Sequence, residues 1–209
     1  MSTSSAYTKQ LYKNIKQVKN HPEWCTEYKP YAFAKPWPYK GLHSSMETHY
    51  LYRTALRLGS GNYANLGVYH GASTHAMACG AAIHGGHVFG IDIFEPTQST
   101  PIVVGKEALD NEFGNRGLQD FVSLFQGTTH DCAVRLKDYR FKFIFIDADH
   151  SYNAVKDDIQ SWKPLLEPDG LLSFHDVFMK DVDRAITEEL GDDWEMIDHI
   201  YTIKTFRRR

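Results

Sequence analysis

Carboxylates and histidines gather at two places where an apolar run stops. Ile144-Phe145-Ile146-Asp147-Ala148-Asp149-His150-Ser151-Tyr152 sets two acids and an imidazole directly behind a strongly apolar stretch. Twenty-nine residues after Asp147, a second apolar run ends in Phe174-His175-Asp176. If the two runs are neighbouring strands, Asp147, His175 and Asp176 meet across adjacent tips. Two carboxylates, an imidazole and water suit an octahedral divalent ion such as Mg2+ or Mn2+. His150 has the ordinary imidazole pKa of about 6.5, so His150 and the nearby Asp147 are candidate general bases. Asp149 is expected to set the turn. Asp157 and Asp158 are expected on a solvated helix face, without chemistry.

A different pattern occurs earlier, in Asn65-Leu66-Gly67-Val68-Tyr69-His70-Gly71-Ala72-Ser73-Thr74. Glycines after a strand let the backbone turn tightly and let a flat ligand approach. A helix starting at Ser73 and Thr74 offers unpaired amides to an anionic group. Asp92 ends the next apolar run, 21 residues after Gly71, where a carboxylate can accept from ribose hydroxyls. A dinucleotide would need bare backbone under its pyrophosphate, and Tyr69 is bulky. The pattern therefore favours an adenosine cofactor without phosphates, such as S-adenosylmethionine.

These residues need strands and helices to place them. Tyr7, Leu11, Ile15 and Val18 fall at helical spacing, and an aromatic, Pro-rich arm covers 23–41. Ser44-Ser45-Met46-Glu47 has the form of a capping box, opening a helix through Leu58 that Gly59 and Gly61 end. Strands are expected at 62–69, 87–93, 121–126, 141–147 and 171–175. Helices are expected at 73–83, near 106–113, at 132–136, 153–166 and 182–190, with Pro168-Asp169-Gly170 ending the fourth. Residues 194–206 read as two further strands. The alternation predicts an α/β fold, a doubly wound and mainly parallel sheet with helices on both faces and an antiparallel C-terminal edge hairpin. Ligands of such sheets sit at the carboxyl ends of the strands.

With 23 Lys and Arg against 26 Asp and Glu, the chain lacks the basic excess of a nucleic-acid or anionic-membrane binder. Its one basic cluster, Arg207-Arg208-Arg209, reads as a solvated tail. No stretch approaches the ~20 apolar residues of a membrane span, and no signal peptide is visible. Three scattered cysteines suit a reducing cytoplasm. The expected organisation is a helical and aromatic arm or lid over 1–61 and a catalytic domain over 62–209. The arm is expected to support a homodimer. Of the 11 histidines, His43, His49 and His70 are expected to border the site.

The run from Tyr63 to Val177 resembles the class I S-adenosylmethionine-dependent methyltransferases, in particular the branch of macrocin O-methyltransferases and cephalosporin-hydroxylase-like proteins. The motifs carrying the resemblance are NLGVYHGAST, VFGIDIFEP and FIFIDADHSYNAVKDDIQSWKPLLEPDGLLSFHDV. The resemblance implies a Rossmann-like fold and methyl transfer to a small hydroxylated molecule. It places Gly67, Gly71 and Ser73 at the methionine part of the cofactor and Asp92 at the ribose. Gly127 and Thr128 fall near the adenine, and Asn65 and Asp147 join the cofactor site. The metal positions of such enzymes fall on Asp147, His175 and Asp176. Asn65 and Thr128 stand where relatives often carry acids, and His175 replaces a more usual acid. The rival expectations are an NAD-type oxidoreductase and a non-catalytic cofactor-binding module.

Overall fold

The computed structural model describes residues 43–98 and 100–209, with no description of the Ser45 side chain. The helix expected around Tyr7–Val18 and the aromatic arm lie outside the described residues. Helix α1 (Ser45–Leu58) is followed by β1 (Asn62–Leu66), α2 (Ala72–Ala81), β2 (His87–Asp92), α3 (Lys106–Asn115) and β3 (Val122–Gln126). Then come α4 (Thr129–Arg135), β4 (Phe141–Ile146), α5 (Tyr152–Trp162), β5 (Leu166–Phe174), α6 (Lys180–Leu190), β6 (Trp194–Ile200) and β7 (Ile203–Arg208).

The seven strands form one sheet in the order β3-β2-β1-β4-β5-β7-β6. The first five in that order are parallel, and β7 runs antiparallel to both β5 and β6. This is the expected doubly wound sheet with its antiparallel C-terminal edge. Central β4 is apolar nearly throughout because helices cover both of its faces. Phe143 and Phe145 belong to the core beneath α1, α2 and α3, whereas Ile144 and Ile146 belong to the core beneath α4, α5 and α6. Sheet order reverses between β1 and β4, and the tips on either side of that point carry the residues of interest.

Register holds those tips level. The Gly67 amide donates to Ile91 O at 2.9 Å, Gly127 to Asp92 O at 3.0 Å, Asp147 to Leu66 O at 2.9 Å, and His175 to Ile146 O at 3.1 Å. Each ladder is thus extended past its last paired residue. A carboxylate or imidazole at one tip therefore faces its counterpart on the next strand.

Three of the boundaries that differ from expectation do so for a clear local reason. Strand β1 stops at Leu66 because Gly67, at φ 87°, turns the chain away. Helix α5 gives way to a 3-10 turn at Lys163–Leu165, since Pro164 has no N–H for an α-helical ladder. Pro168-Asp169-Gly170 then lies inside β5, in an excursion where the register jumps between Phe141 and Phe143. The arginines taken as a tail are also partly in the sheet. Arg207 pairs with Leu171 in register and with the Glu195 carboxylate at 2.5 Å, and Arg208 lies over Trp194.

Helix α1 packs closely on α2, and Gly80 permits it: a Cβ there would stand 2.3 Å from Tyr52 O. On the other face Trp162 is 0% exposed, meets Phe141 at 5.6 Å between centroids, and donates its Nε1–H to Thr129 O at 3.0 Å. Trp162→Ala is expected to cost about 4 kcal/mol in urea unfolding. A loss below about 1 kcal/mol would contradict this packing. Among the described residues no helix is long and apolar enough to cross a membrane.

Candidate active site

A cavity of about 580 Å³ runs along the strand tips and is lined by Gly67, Ser73, Asp92, Gly127, Asp147 and His175, among others. Thr128, His150 and Asp176 also line it. The structure thus joins nine of the residues singled out in the sequence. Asn65 and Gly71 are not in the wall. Gly71, in the left-handed region at φ 81°, is the N-cap of α2. Asn65 is fully buried behind the loop and donates Nδ2–H to Ser73 Oγ at 3.0 Å and Thr74 Oγ1 at 2.7 Å. Its Oδ1 has no hydrogen-bond partner among the described residues.

Asp92 holds the glycine loop in shape. Its Oδ2 accepts from the amides of Val68 (2.9 Å) and Tyr69 (2.7 Å), and its Oδ1 accepts from Phe94 at 2.8 Å. A carboxylate has about four acceptor sites, so capacity remains on the cavity side. Tyr69, at φ 50°, stacks on His70 with ring centroids 3.7 Å apart, and both line the cavity.

At the other end, one ligating atom each from Asp147, His150, His175 and Asp176 lies within 4.8 Å of the rest. His175 Nδ1 stands 3.1 Å from Asp147 Oδ1 and 3.3 Å from Asp176 Oδ1. His150 Nε2 stands 3.4 Å from Asp147 Oδ1 and 3.2 Å from Asp176 Oδ2. His43 Nε2 reaches Asp147 Oδ2 at 3.0 Å, and its ring lies 4.5 Å from that of His175. These distances are short, yet the buried nitrogens of His43, His150 and His175 do not meet the carboxylates in hydrogen-bond directions. They crowd a common point rather than pairing off.

Behind His175 sits Glu47, whose Oε1 lies 3.3 Å from His175 Nε2 and also accepts from Thr202 N (3.2 Å) and the Thr202 hydroxyl. Its Oε2 accepts from Ser44 N at 2.8 Å, completing the capping box of α1. One side chain thus caps a helix, ties it to the β6–β7 turn and sets a carboxylate beside His175 Nε2. Burial would raise the Glu47 pKa, but His175, Thr202 and Ser44 together lower it to about 2. Glu47→Ala is expected to cost about 3 kcal/mol of stability, from the lost cap and an unpaired buried imidazole. Glu47→Gln, which keeps the cap, should recover about 1 kcal/mol. Equal thermal melts for all three proteins would contradict this role.

The cluster draws positive charge. Burial opposes protonation of His175, but the Asp147, Asp176 and Glu47 carboxylates raise its pKa to about 12. Asp147 and Asp176 likewise raise His150 to about 9 against the effect of burial. Asp147 and Asp176 are themselves held below the usual carboxylate range, Asp147 despite burial that would raise it, by the histidines around them. His150 therefore does not keep the ordinary imidazole pKa on which its role as a base was first argued.

Asp158 corrects a second expectation. It is only 3% exposed and accepts from the Thr129 hydroxyl, and it lines the cavity near Gly127. Asp157, beside it, is exposed as expected. Burial raises the Asp158 pKa to about 6, against the bond from Thr129. An acid whose folded pKa is raised gives most stability below its unfolded pKa, and loses it as pH rises through the folded value. Asp158→Asn should therefore stabilise the ligand-free protein at pH ~8, by up to about 3 kcal/mol, and much less at pH ~5. Equal changes in melting temperature at both pH values would contradict the assignment.

Residues 64–177, more than half of the chain, match the methyltransferase domain family. The chain belongs to that family. This displaces the oxidoreductase expectation and agrees with the resemblance drawn from Tyr63 to Val177. The fold of the methyltransferase is shared by solved structures of low identity. An O-methyltransferase from Bacillus cereus in complex with S-adenosylhomocysteine (SAH) superposes with TM-score 0.63 at 16% identity, covering 95% of this chain and 90% of that one. The O-methyltransferase NovP gives TM-score 0.66 at 15% identity, covering 80% and 83%. The calicheamicin methyltransferase CalS11 gives 0.61 at 16%, covering 98% and 91%.

Of the cluster in this methyltransferase, the sequence pointed to Asp147, His150, His175 and Asp176. It did not assign Glu47 beyond its cap, because the partner His175 lies 128 residues away. His43 was expected only at the border, whereas it touches Asp147. His70 does line the cavity, and His49 does not. Burial and the Arg53 charge lower the His49 pKa to about 4. A signal for Asp158 was present: it follows Val155 by three positions and precedes Trp162 by four, on the buried face of α5.

Proposed function

We propose that the protein transfers the methyl group of S-adenosylmethionine to a hydroxyl of a small molecule, assisted by a divalent ion. One observation carries this reading: the glycine loop, Asp92 and the acid–histidine cluster open into one cavity. The cofactor's methionine part would lie against Gly67 and Ser73, braced from behind by Asn65, with its ribose on Asp92. The named O-methyltransferases of the same fold support the choice of acceptor, and the SAH complex supports the cofactor.

The residues fit a cation. Crowded ring nitrogens that find no hydrogen-bond partner among the described residues, facing two carboxylates, are the donor set of a metal site. Asp147, His175 and Asp176 would hold the ion, with the Glu47 carboxylate 3.3 Å from His175 Nε2, placed where an outer carboxylate could orient a ligating histidine. An imidazole in the set favours Mn2+ over Mg2+. When bound, the ion supplies the charge that lowers the pKa of a hydroxyl and balances the carboxylates in place of imidazolium protons.

Methyl transfer from a sulfonium is an in-line displacement, so the chain must orient the hydroxyl and remove its proton. His150 Nε2 stands at the cavity wall, between Asp147 and Asp176, and with the ion's charge in place of its own proton it would be neutral and able to take that proton. Asp147 then stabilises the imidazolium. His43 fixes Asp147 from the side away from His150. The helical and aromatic arm over 1–61 supplies a lid and a homodimer contact in this reading, and the protein works in the cytoplasm.

Methyl-labelled S-adenosylmethionine, offered with a panel of phenols and sugars, tests the activity with and without EDTA. Label should appear in product, fall with EDTA and return with Mn2+. Cofactor binding without turnover across the panel would instead favour a non-catalytic module.

A further inference from the structure

The cavity has two chemically different ends, and only one belongs to the reacting methyl group. Along the strand tips the lining residues run from Gly127 after β3, through Asp92 and Gly67, to Asp147 and His175 after β4 and β5. On the proposed function, on which this inference rests, the sulfonium must lie toward the cluster and the ribose on Asp92. The nucleobase then extends toward Gly127, Thr128 and Thr129. Ile93, whose carbonyl accepts from Gln126 Nε2 beside Gly127, and Ala154, one turn before Asp158 on α5, line the cavity and supply apolar wall for a flat ring.

At that end stands a buried carboxylate short of donors. Asp158 projects from α5 over the first turn of α4, and one oxygen accepts from the Thr129 hydroxyl. Among the described residues its other oxygen has no hydrogen-bond partner, and no lysine, arginine or histidine forms an ion pair with it. The charges that act on it are acidic: Asp157 on its own helix and Asp149 in the β4–α5 loop. From α4 it faces Thr129, while His130 beside it turns its Nδ1 to Ser161 Oγ at 3.1 Å. Anchoring Thr129 requires only an acceptor, which asparagine would provide without burying a charge. Burial of a carboxylate is costly unless donors meet it. Asp158 lines the cavity, so a ligand there is placed to supply the donor.

We infer that Asp158 reads the nucleobase of the cofactor, accepting a hydrogen bond from the exocyclic amine of adenine. It acts where Thr128, a neutral side chain spent on capping α4 and bonding Asp131, offers no such acceptor. A base with a carbonyl in place of the amine sets oxygen against oxygen and is rejected. Protonation of the carboxyl removes the acceptor charge, so discrimination weakens as pH falls through about 6, the value to which burial raises this acid.

Calorimetry with SAH and S-inosylhomocysteine tests the inference on the wild-type protein, Asp158→Asn and Asp158→Ala, at pH ~7.5 and ~5.5. Wild type should prefer SAH by roughly 100-fold at the higher pH, the scale of a charge-assisted hydrogen bond lost to a buried group. The preference should shrink several-fold at the lower pH. In Asp158→Asn it should fall to about fivefold or less, because the carboxamide can turn an N–H toward the inosine carbonyl. Asp158→Ala should bind the two ligands about equally, and melting curves of the variants confirm that they fold. The wild-type comparison needs no variant. Equal affinity of the wild type for both nucleosides, or full preference retained by folded Asp158→Asn, would overturn the inference alone. Binding of neither nucleoside to the wild type would overturn the proposed function and this inference with it.

Discussion

Gly67→Ala should abolish cofactor binding and lower stability by about 3 kcal/mol. The added Cβ would fall 2.0 Å from Asp147 O, 2.6 Å from Asp147 C and 2.9 Å from Ala148 Cα. All three are backbone atoms, so no side chain can swing aside. The residue also sits at φ 87°, a conformation that a Cβ disfavours. Relief requires the tips of β1 and β4 to part, which carries Asp147 away from His175 and opens the cofactor loop. Expected results are SAH affinity weakened more than about 100-fold and a clear drop in urea midpoint. Gly114→Ala is the control, since nothing among the described residues lies within 4 Å of its Cβ position in α3. It should gain roughly 0.5–1 kcal/mol from helix propensity. A Gly67→Ala protein as stable as wild type, with unchanged SAH affinity, would contradict the close approach of the two tips.

The second large effect concerns the cluster. Asp147→Asn and Asp176→Ala should each weaken divalent-ion binding beyond about 100-fold, since outer-shell losses alone reach 10–100-fold. Turnover should fall by about 10³ or more, combining lost proton transfer with lost charge stabilisation. SAH affinity of Asp176→Ala should stay within about threefold of wild type, because Asp176 lies at the opposite end from Gly127. Mn2+ titration followed by calorimetry or paramagnetic resonance separates the two outcomes. Unchanged ion binding in both variants would remove the metal from the mechanism, while leaving the cofactor site intact.

The sheet was legible because its strands are apolar runs that stop abruptly at acids and histidines. Ile146 is followed by Asp147 and Phe174 by His175, and parallel register then had to bring those residues level. The Ser44–Glu47 capping box was also readable, being a local pattern. Long-range double duty was not: nothing near Glu47 in sequence announces Thr202 or His175. Asp158 was misplaced because two adjacent acids suggest a wet surface, although Val155, Ile159 and Trp162 already mark the buried side of that helix. Asn65 was expected to meet the cofactor; that its Nδ2–H would also brace Ser73 and Thr74 was not legible from spacing alone. Protonation states depend on distances among six side chains, so the raised His150 pKa could not be read from its neighbours along the chain.

Calorimetric titration of the wild-type protein with S-adenosylmethionine bears most directly on the whole account. One site per chain with a dissociation constant in the micromolar range is the predicted result. No detectable heat at protein concentrations near ~100 μM, at any temperature tried, would contradict a methyl-transfer site at these strand tips.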